Sequence, residues 1–364
     1  MNSDLSSLFE PFAHGKLALK NRIVMPPMVT NYASVEGFVT EQTKRHYVRR
    51  SKGGAGLLIV EATCVDAPEG KGFVRGLQID DDEFIPGLSE LVDTVRHHGA
   101  KIGIQLHHAG SQALFDVTGR RPAGPSLLPS PEPVPEERAL RELSVEEIGA
   151  LVQCYAKAAL RAKTAGFDCV QIHAAHAYLI AQFLSPCMNI RTDAYGGDLE
   201  NRARFLSEII QAARGLVGKG YPLLCRIDAK LVTPDGEVNE SPEIAHIAQV
   251  AGADIIDISV CGIIFDTPPK TRPNEDLERF PEDFKRTVSL PIIYGGAMDY
   301  SAAAELINES RIELAALGRA LITDPDLPSK IASGNTDDIV SCIDCRVCLD
   351  SIVQMAGPLQ CSLD

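Results

Sequence analysis

The sequence predicts an α/β protein, a (β/α)8 TIM barrel followed by a short C-terminal segment rich in cysteine. Three observations carry the prediction. Eight short apolar runs rich in β-branched residues recur along the 364 residues: "NRIVMPP", "GLLIVEA", "KIGIQL", "CVQIHA", "PLLCRID", "DIIDISV", "PIIYGG" and "IELAALG". Such continuous runs suit strands buried on both faces, as parallel sheets require, and the stretches between them are mostly long enough for crossover helices. Polar and glycine residues gather where the runs end, which is where chemistry sits on this fold.

In chain order, the second run ends at Glu61 and the third at Gln105. Residues 121–138, "RPAGPSLLPSPEPVPEER", then read as an extended Pro-rich surface loop, either an inert excursion or an active-site lid. Ser144 and Glu147 form an S-x-x-E capping box that opens a helix running to "AGFD". That helix leads into the fourth run, which ends at His173 and His176. The fifth ends at Arg226 and Asp228, the seventh at Gly295 and Gly296, and the eighth at Gly318 and Arg319. No internal repeat beyond the βα alternation and no linker before Cys342 breaks the chain. Residues 1–335 are therefore expected to form the barrel and 336–364 the cysteine segment.

Composition excludes several classes. A net charge of −14 and a pI near 5.1 oppose a nucleic-acid partner, whose phosphates demand clustered Lys and Arg. No apolar run approaches the about 18 residues a membrane helix needs. The opening "MNSDLSSLFEPFAHG" lacks the cationic start and apolar core of a secretion signal. A reducing, cytoplasmic location is expected.

Two Gly-marked turns, "YGGAMD" and "LGRALI", follow the seventh and eighth runs, where barrels bind phosphate through backbone N–H groups, and Arg319 adds a fixed cation. A phosphate-bearing cofactor is the leading expectation. In "QIHAAHAYL", His173, His176 and Tyr178 lie within six residues. Two imidazoles beside a phenol can donate hydrogen bonds to a carbonyl oxygen and deliver a proton to a neighbouring carbon; a metal pair is the competing reading, without a matching third ligand.

Cys342, Cys345 and Cys348 are spaced C-x-x-C-x-x-C, with Cys361 following after twelve intervening residues. Zinc sites usually pair two separated C-x-x-C knuckles, whereas three successive thiolates and a distant fourth suit a [4Fe-4S] cluster, so the spacing favours iron. The remaining cysteines, Cys64, Cys154, Cys169, Cys187, Cys225 and Cys261, read as small core residues.

Across essentially its whole length the chain resembles the old yellow enzyme family of flavin-dependent oxidoreductases. The matching stretches are "LFEPFAHGKLALKNRIVMPPM", "GAGLLIVEA", "KIGIQLHHAG", "AGFDCVQIHAAHAYLIAQFLSP", "NIRTDAYGGDLENRARF" and "LGRALITDP". The resemblance implies FMN at the barrel mouth, with Pro27, Met28, Ala62, Gln105 and Arg226 around the isoalloxazine ring and Gly295, Gly296, Gly318 and Arg319 at the phosphate. It implies that His173 and His176 grip a substrate oxygen and that Tyr178 is the proton donor. The tail is similar to that of the cluster-bearing branch: trimethylamine dehydrogenase, 2,4-dienoyl-CoA reductase and clostridial enoate reductases.

Departures accompany the resemblance. Val29 stands where many relatives carry Cys or Thr, so a hydrogen bond to the ring is missing and covalent attachment of FMN is impossible. "HAGS" replaces the usual "HAGR", with Ser111 for arginine, and His107 precedes His108. Cluster-bearing relatives continue into a half that binds FAD and nicotinamide; no G-x-G-x-x-G fingerprint in a βαβ unit occurs here. The expected function is an FMN- and [4Fe-4S]-dependent ene reductase acting on an α,β-unsaturated carbonyl or carboxyl compound. NAD(P)H is expected as a transient donor, or a separate electron-donor protein docks near the cluster. An amine dehydrogenase or N-demethylase and an electron-transfer subunit are the alternatives, and a homo-oligomer stays open. The Pro-rich loop and the segment from Phe265 to Arg279 are expected to line the pocket.

Overall fold

A computed structural model of the chain describes residues 4–128, 133–233, 236–260, 275–296, 298–353 and 357–363. Eight strands form a closed parallel barrel: β1 (Ile23–Met25), β2 (Leu57–Cys64), β3 (Lys101–His107), β4 (Cys169–Ala174), β5 (Leu223–Asp228), β6 (Ile255–Ser259), β7 (Ile292–Gly295) and β8 (Leu314–Ala316). Every described strand position but Lys101 is buried, as runs covered on both faces require. Helices follow in alternation: α1 (Glu41–Lys52), α2 (Ile85–Arg96), α3 (Val145–Thr164), α4 (Arg204–Val217), α5 (Ser241–Ala251), α6 (Glu275–Thr287), α7 (Tyr300–Asn308) and α8 (Gly318–Thr323). At the start of α3 both arms of the Ser144–Glu147 capping box are made. No helix among the described residues is long and apolar enough to cross a membrane.

Two cores share the strands. Alternate residues such as Met25, Leu58, Val60 and Ile172 face the helices in the larger core. The others, including Val24, Leu57, Ile59, Cys169, Leu224, Ile255, Ile293 and Leu314, fill the lower barrel interior. Phe12, Leu17 and Leu19, from an antiparallel hairpin ahead of β1, join that inner core, each burial stabilising by about 1.5–3 kcal/mol.

The period of two then places the chemistry. Stepping upward from Cys169 leads to Gln171 and His173; from Leu224 to Arg226 and Asp228; from Ile255 to Asp257 and Ser259. The interior thus changes from apolar to polar in two steps toward the C-terminal ends of the strands. On β2 the alternation is broken by a bulge: Val60 pairs with Ile104, but Ala62 pairs with Gln105. Glu61 is the extra residue rather than the strand's end, and its backbone N–H donates to the Tyr47 hydroxyl oxygen at 2.9 Å. Likewise Gln105 lies inside β3, which continues to His107.

Candidate active site

Four side chains form a hydrogen-bonded chain across the barrel mouth. His107 Nδ1 lies 3.1 Å from His173 Nδ1, His173 Nε2 lies 2.9 Å from His176 Nδ1, and His176 Nε2 lies 2.8 Å from Ser259 Oγ. Arg226 Nη2 reaches the same Ser259 oxygen at 3.3 Å. His173 and Arg226 are register partners on β4 and β5, which fixes their separation by the ladder rather than by flexible loops. Tyr178 caps the short helix Leu179–Leu184, and its ring meets the His107 ring edge-on at 4.4 Å and the His173 ring at 5.1 Å.

The turn carrying His176 is held in an unusual conformation. His176 and Ala177 both have left-handed backbones, φ 63° and 55°. Side chains constrain them: Asp228 Oδ2 accepts the His176 N–H at 2.7 Å, Gln112 Nε2 donates to the His176 carbonyl at 3.0 Å, and Gln182 Nε2 donates to the Ala177 carbonyl at 2.7 Å. Such strain persists only where surrounding contacts over-determine it.

Burial sets the protonation states. It pushes His107 down to about 3 and holds His173 and His176 well below the ordinary imidazole value, with Arg226 opposing their charged forms. All three are neutral at pH 7 and can each donate one N–H. Burial pushes the Tyr178 phenol up, so it keeps its proton. It raises Asp228 to about 7, against the pull of the His176 N–H and Arg226.

Below this layer, Gln105 Nε2 donates to Gln171 Oε1 at 2.8 Å and Gln171 Nε2 donates to Asp257 Oδ2 at 2.8 Å. Arg226 Nε and Nη1 are buried without a hydrogen-bond partner. A planar, acceptor-rich group seated above the layer would satisfy them, so the residues fit an isoalloxazine ring. Ala62 and Gln105 are neighbours in register on the same side. Gly295 is in register with Ser259, and a side chain there would stand 3.0 Å from Ala316 Cβ. Gly318 begins α8, where a Cβ would stand 3.0 Å from Met28 Sδ. Arg319 is paired with Asp344, the residue before Cys345. Pro27, Gly296, Gly318 and Arg319 are all half-buried.

The cysteine segment packs beside the mouth. Cys348 and Cys361 lie on a small apolar patch of Ile322, Ile352 and Leu359, together with Met28, Val29, Tyr32 and Phe73. Leu359 N–H donates to the Thr30 carbonyl at 2.8 Å, and the Tyr32 hydroxyl donates to the Leu359 carbonyl at 2.9 Å. Cys342 and Cys345 are exposed, and Asp344 and Arg346 turn the backbone with φ 54° and 64°. Cys345 Sγ lies 3.0 Å from Ser362 Oγ, a contact that lowers its thiol value. The donor chemistry of four thiols suits an iron–sulfur cluster, although no three His, Cys, Asp or Glu side chains among the described residues stand in ligand geometry.

The "RTDAYGGDLENR" stretch supports the site rather than entering it. Arg191 is buried, grips Asp193 through two nitrogens, and donates to the Pro125 and Leu143 carbonyls at 2.8 and 2.7 Å. Asn189 Nδ2 donates to the Phe183 and Tyr195 carbonyls, both at 2.7 Å. These bonds tie the Pro-rich loop to the β4 loop. Residues 129–132 of that loop and 265–274 of the segment expected to line the pocket lie outside the described residues, as does Cys261. A separate open cleft of about 530 Å³, lined by Glu36, Phe38, Lys71 and Asp80 among others, contains none of the residues expected at the site.

Sequence reasoning missed Ser259, Asp257 and Gln171, gave Asp228 no role, and noted His107 only as a departure beside His108. The polar residues inside "QIHA" and "DIIDIS" were the available signal, since a polar side chain within a doubly buried strand needs a partner.

A polar-topped barrel with neutral imidazoles, a protonated phenol and an unspent guanidinium at its mouth defines an oxidoreductase of the old yellow enzyme type. The chain belongs to the NADH:flavin oxidoreductase / NADH oxidase family, whose model matches residues 7–338. It is 38% identical to the NADH oxidase of Thermoanaerobacter brockii over 98% of this chain and 56% of that protein. It is 37% identical to the NADPH dehydrogenase of Clostridium acetobutylicum over 87% of this chain and 92% of that protein. The solved 2-naphthoyl-CoA reductase in complex with 2-naphthoyl-CoA superposes with a TM-score of 0.91 at 30% identity, covering 99% of this chain and 57% of that one. The chain therefore spans about half the length of the first of these relatives, and about all of the shorter one. The family is one of NADH:flavin oxidoreductases.

Proposed function

We propose that the chain is an FMN- and [4Fe-4S]-containing ene reductase that saturates the C=C bond of an α,β-unsaturated carbonyl or carboxyl compound. The observation that carries this reading is the neutral His107–His173–His176 chain lying against the Tyr178 ring. A substrate oxygen that displaces one of these internal bonds would meet a neutral N–H donor, which polarises it without presenting a competing acid. Tyr178, its proton retained by burial, is placed to protonate the carbon α to that carbonyl. A cationic amine would find no anionic partner among these groups, which ranks N-demethylation lower; a pure electron relay would need no proton donor.

FMN bound at the mouth would supply the hydride that goes to the β-carbon. Pro27, Met28, Ala62, Gln105 and Arg226 would hold its ring, and Gly295, Gly296, Gly318 and Arg319 its phosphate. Cys342, Cys345, Cys348 and Cys361 would hold the cluster, which passes single electrons. Electrons enter from NAD(P)H directly or from a donor protein. Ile343 and Leu349, both exposed beside the thiols, give such a donor an apolar footing.

An anaerobic visible spectrum titrated with NADH, NADPH and then dithionite, followed by turnover of a simple enone, tests the reading. Bleaching by a nicotinamide identifies a self-sufficient reductase; bleaching by dithionite alone assigns the electrons to a partner. Absence of a flavin spectrum, or of enone turnover with every donor, removes the reading.

A further inference from the structure

We propose that Asp257 is the counter-ion of Arg226 and, acting through it, holds down the reduction potential of the bound flavin. This inference rests on the reading that FMN sits at the mouth. Asp257 and Arg226 are directly paired in register on β6 and β5. Both point into the barrel, Asp257 one inward position before Ser259 on β6, and Asp257 is wholly buried. Its Oδ2 lies 3.7 Å from Arg226 Nη1 and accepts Gln171 Nε2 at 2.8 Å, while Gln171 Oε1 accepts Gln105 Nε2 at 2.8 Å. Inward side chains of four consecutive strands thus make one polar layer in which the Arg226 guanidinium meets the Asp257 carboxyl.

The physics of that layer decides its role. A guanidinium cannot discharge itself by losing a proton, so when buried it needs a carboxylate nearby. The Asp257 carboxyl is pushed up by burial and pulled down by Arg226 and Gln171, and its ionised form depends on that cation. Arg226 is left with Nε and Nη1 buried and without a hydrogen-bond partner. An electron added to a ring above would be stabilised by the Arg226 charge and opposed by the Asp257 charge, so removing the carboxylate makes reduction easier. Asp257 also orients the amides: as an acceptor it draws the Gln171 N–H₂ toward itself, which turns the Gln171 oxygen to Gln105. Asp257 is therefore a positioning residue that touches neither substrate nor flavin.

The test is the flavin midpoint potential of the purified holoenzyme, measured against redox dyes for the wild type and Asp257→Asn. The expected result is an upward shift in the variant at unchanged flavin stoichiometry. Asp257→Ser, which removes the charge and leaves room for a water, is expected to shift in the same direction should the asparagine variant not fold. An unchanged or lower potential in a variant that retains stoichiometric flavin overturns the inference. A wild type without flavin instead overturns the reading beneath it, so the two failures are distinguishable.

Discussion

His107 Nδ1 and His173 Nδ1 face each other at 3.1 Å, and only one proton can lie between them. Because all three histidines are neutral, that single choice propagates. If His107 donates, His173 must donate from Nε2 to His176, and His176 from Nε2 to Ser259; if His107 accepts, every bond reverses. His107 therefore fixes which nitrogens of the His173–His176 pair remain able to donate.

Replacing His107 by phenylalanine is expected to lower kcat/KM for an enone by about tenfold, the consequence of leaving a buried imidazole nitrogen unpaired at roughly 1–3 kcal/mol. Steady-state kinetics on variant protein with full flavin content checks this. Unchanged kcat/KM would show that the pair sets its own tautomers.

Glu61 gives a pH-dependent prediction. Burial raises its carboxyl from the ordinary 4.5 to about 8, against the Thr30 N–H that bonds Oε2 at 2.7 Å. The folded state then holds a proton that the unfolded state has lost, so this group's contribution to stability falls as pH rises through that window and is flat above it. Glu61→Gln removes the titration. Its stability relative to wild type is expected to rise by up to ~4 kcal/mol between about pH 5 and about pH 8, at ~1.4 kcal/mol per unit. Chemical unfolding of both proteins across that range measures it, and parallel curves would contradict the assignment.

Arg191→Ala leaves the Pro125 and Leu143 carbonyls and Asp193 without their shared donor. A loss of about 3 kcal/mol is expected, with a melting temperature several degrees lower. Since the residue braces the β4 loop from behind, flavin content is expected to hold while Tyr178-dependent turnover falls. A variant as stable as wild type would mean the loop is braced elsewhere.

Single Cys→Ser substitutions at Cys342, Cys345, Cys348 and Cys361 are each expected to abolish iron and acid-labile sulfide binding, whereas Cys64→Ser is expected to leave both intact. Parallel iron and sulfide assays on anaerobically purified protein decide it. Zinc in place of iron, with no sulfide, would reassign the segment.

Much of this was legible because it was local. The eight runs, the Ser144 capping box and the glycine turns announce themselves within a few residues. What stayed hidden required knowing which side of a strand faces inward. In a run such as "DIIDISV" both faces are buried, so the polarity of Asp257 and Ser259 signals a need for partners without saying which face is interior. The bulge at Glu61 shifts that parity without any glycine or proline to signal it. The tail's docking was equally silent, since Leu359 and Thr30 meet across most of the chain with no pattern joining them.

Strands β1 and β8 meet at only two paired positions, Ile23 with Ala315 and Val24 with Ala316. The contact nearby between Arg22 and Glu313 closes a loop of 291 residues. Across that junction lies the cysteine segment, bonded to Thr30 and Tyr32 on one side and touching Arg319 and Thr323 on the other. It works as a latch on one of the barrel's short welds. Amide exchange at Ile23–Met25 and Leu314–Ala316 is therefore expected to follow the chemical state of the thiols, with the longer ladders of β3 to β5 expected to keep their protection. Oxidative damage to the tail would register first as breathing along one vertical line of the barrel, well before the molecule as a whole comes apart.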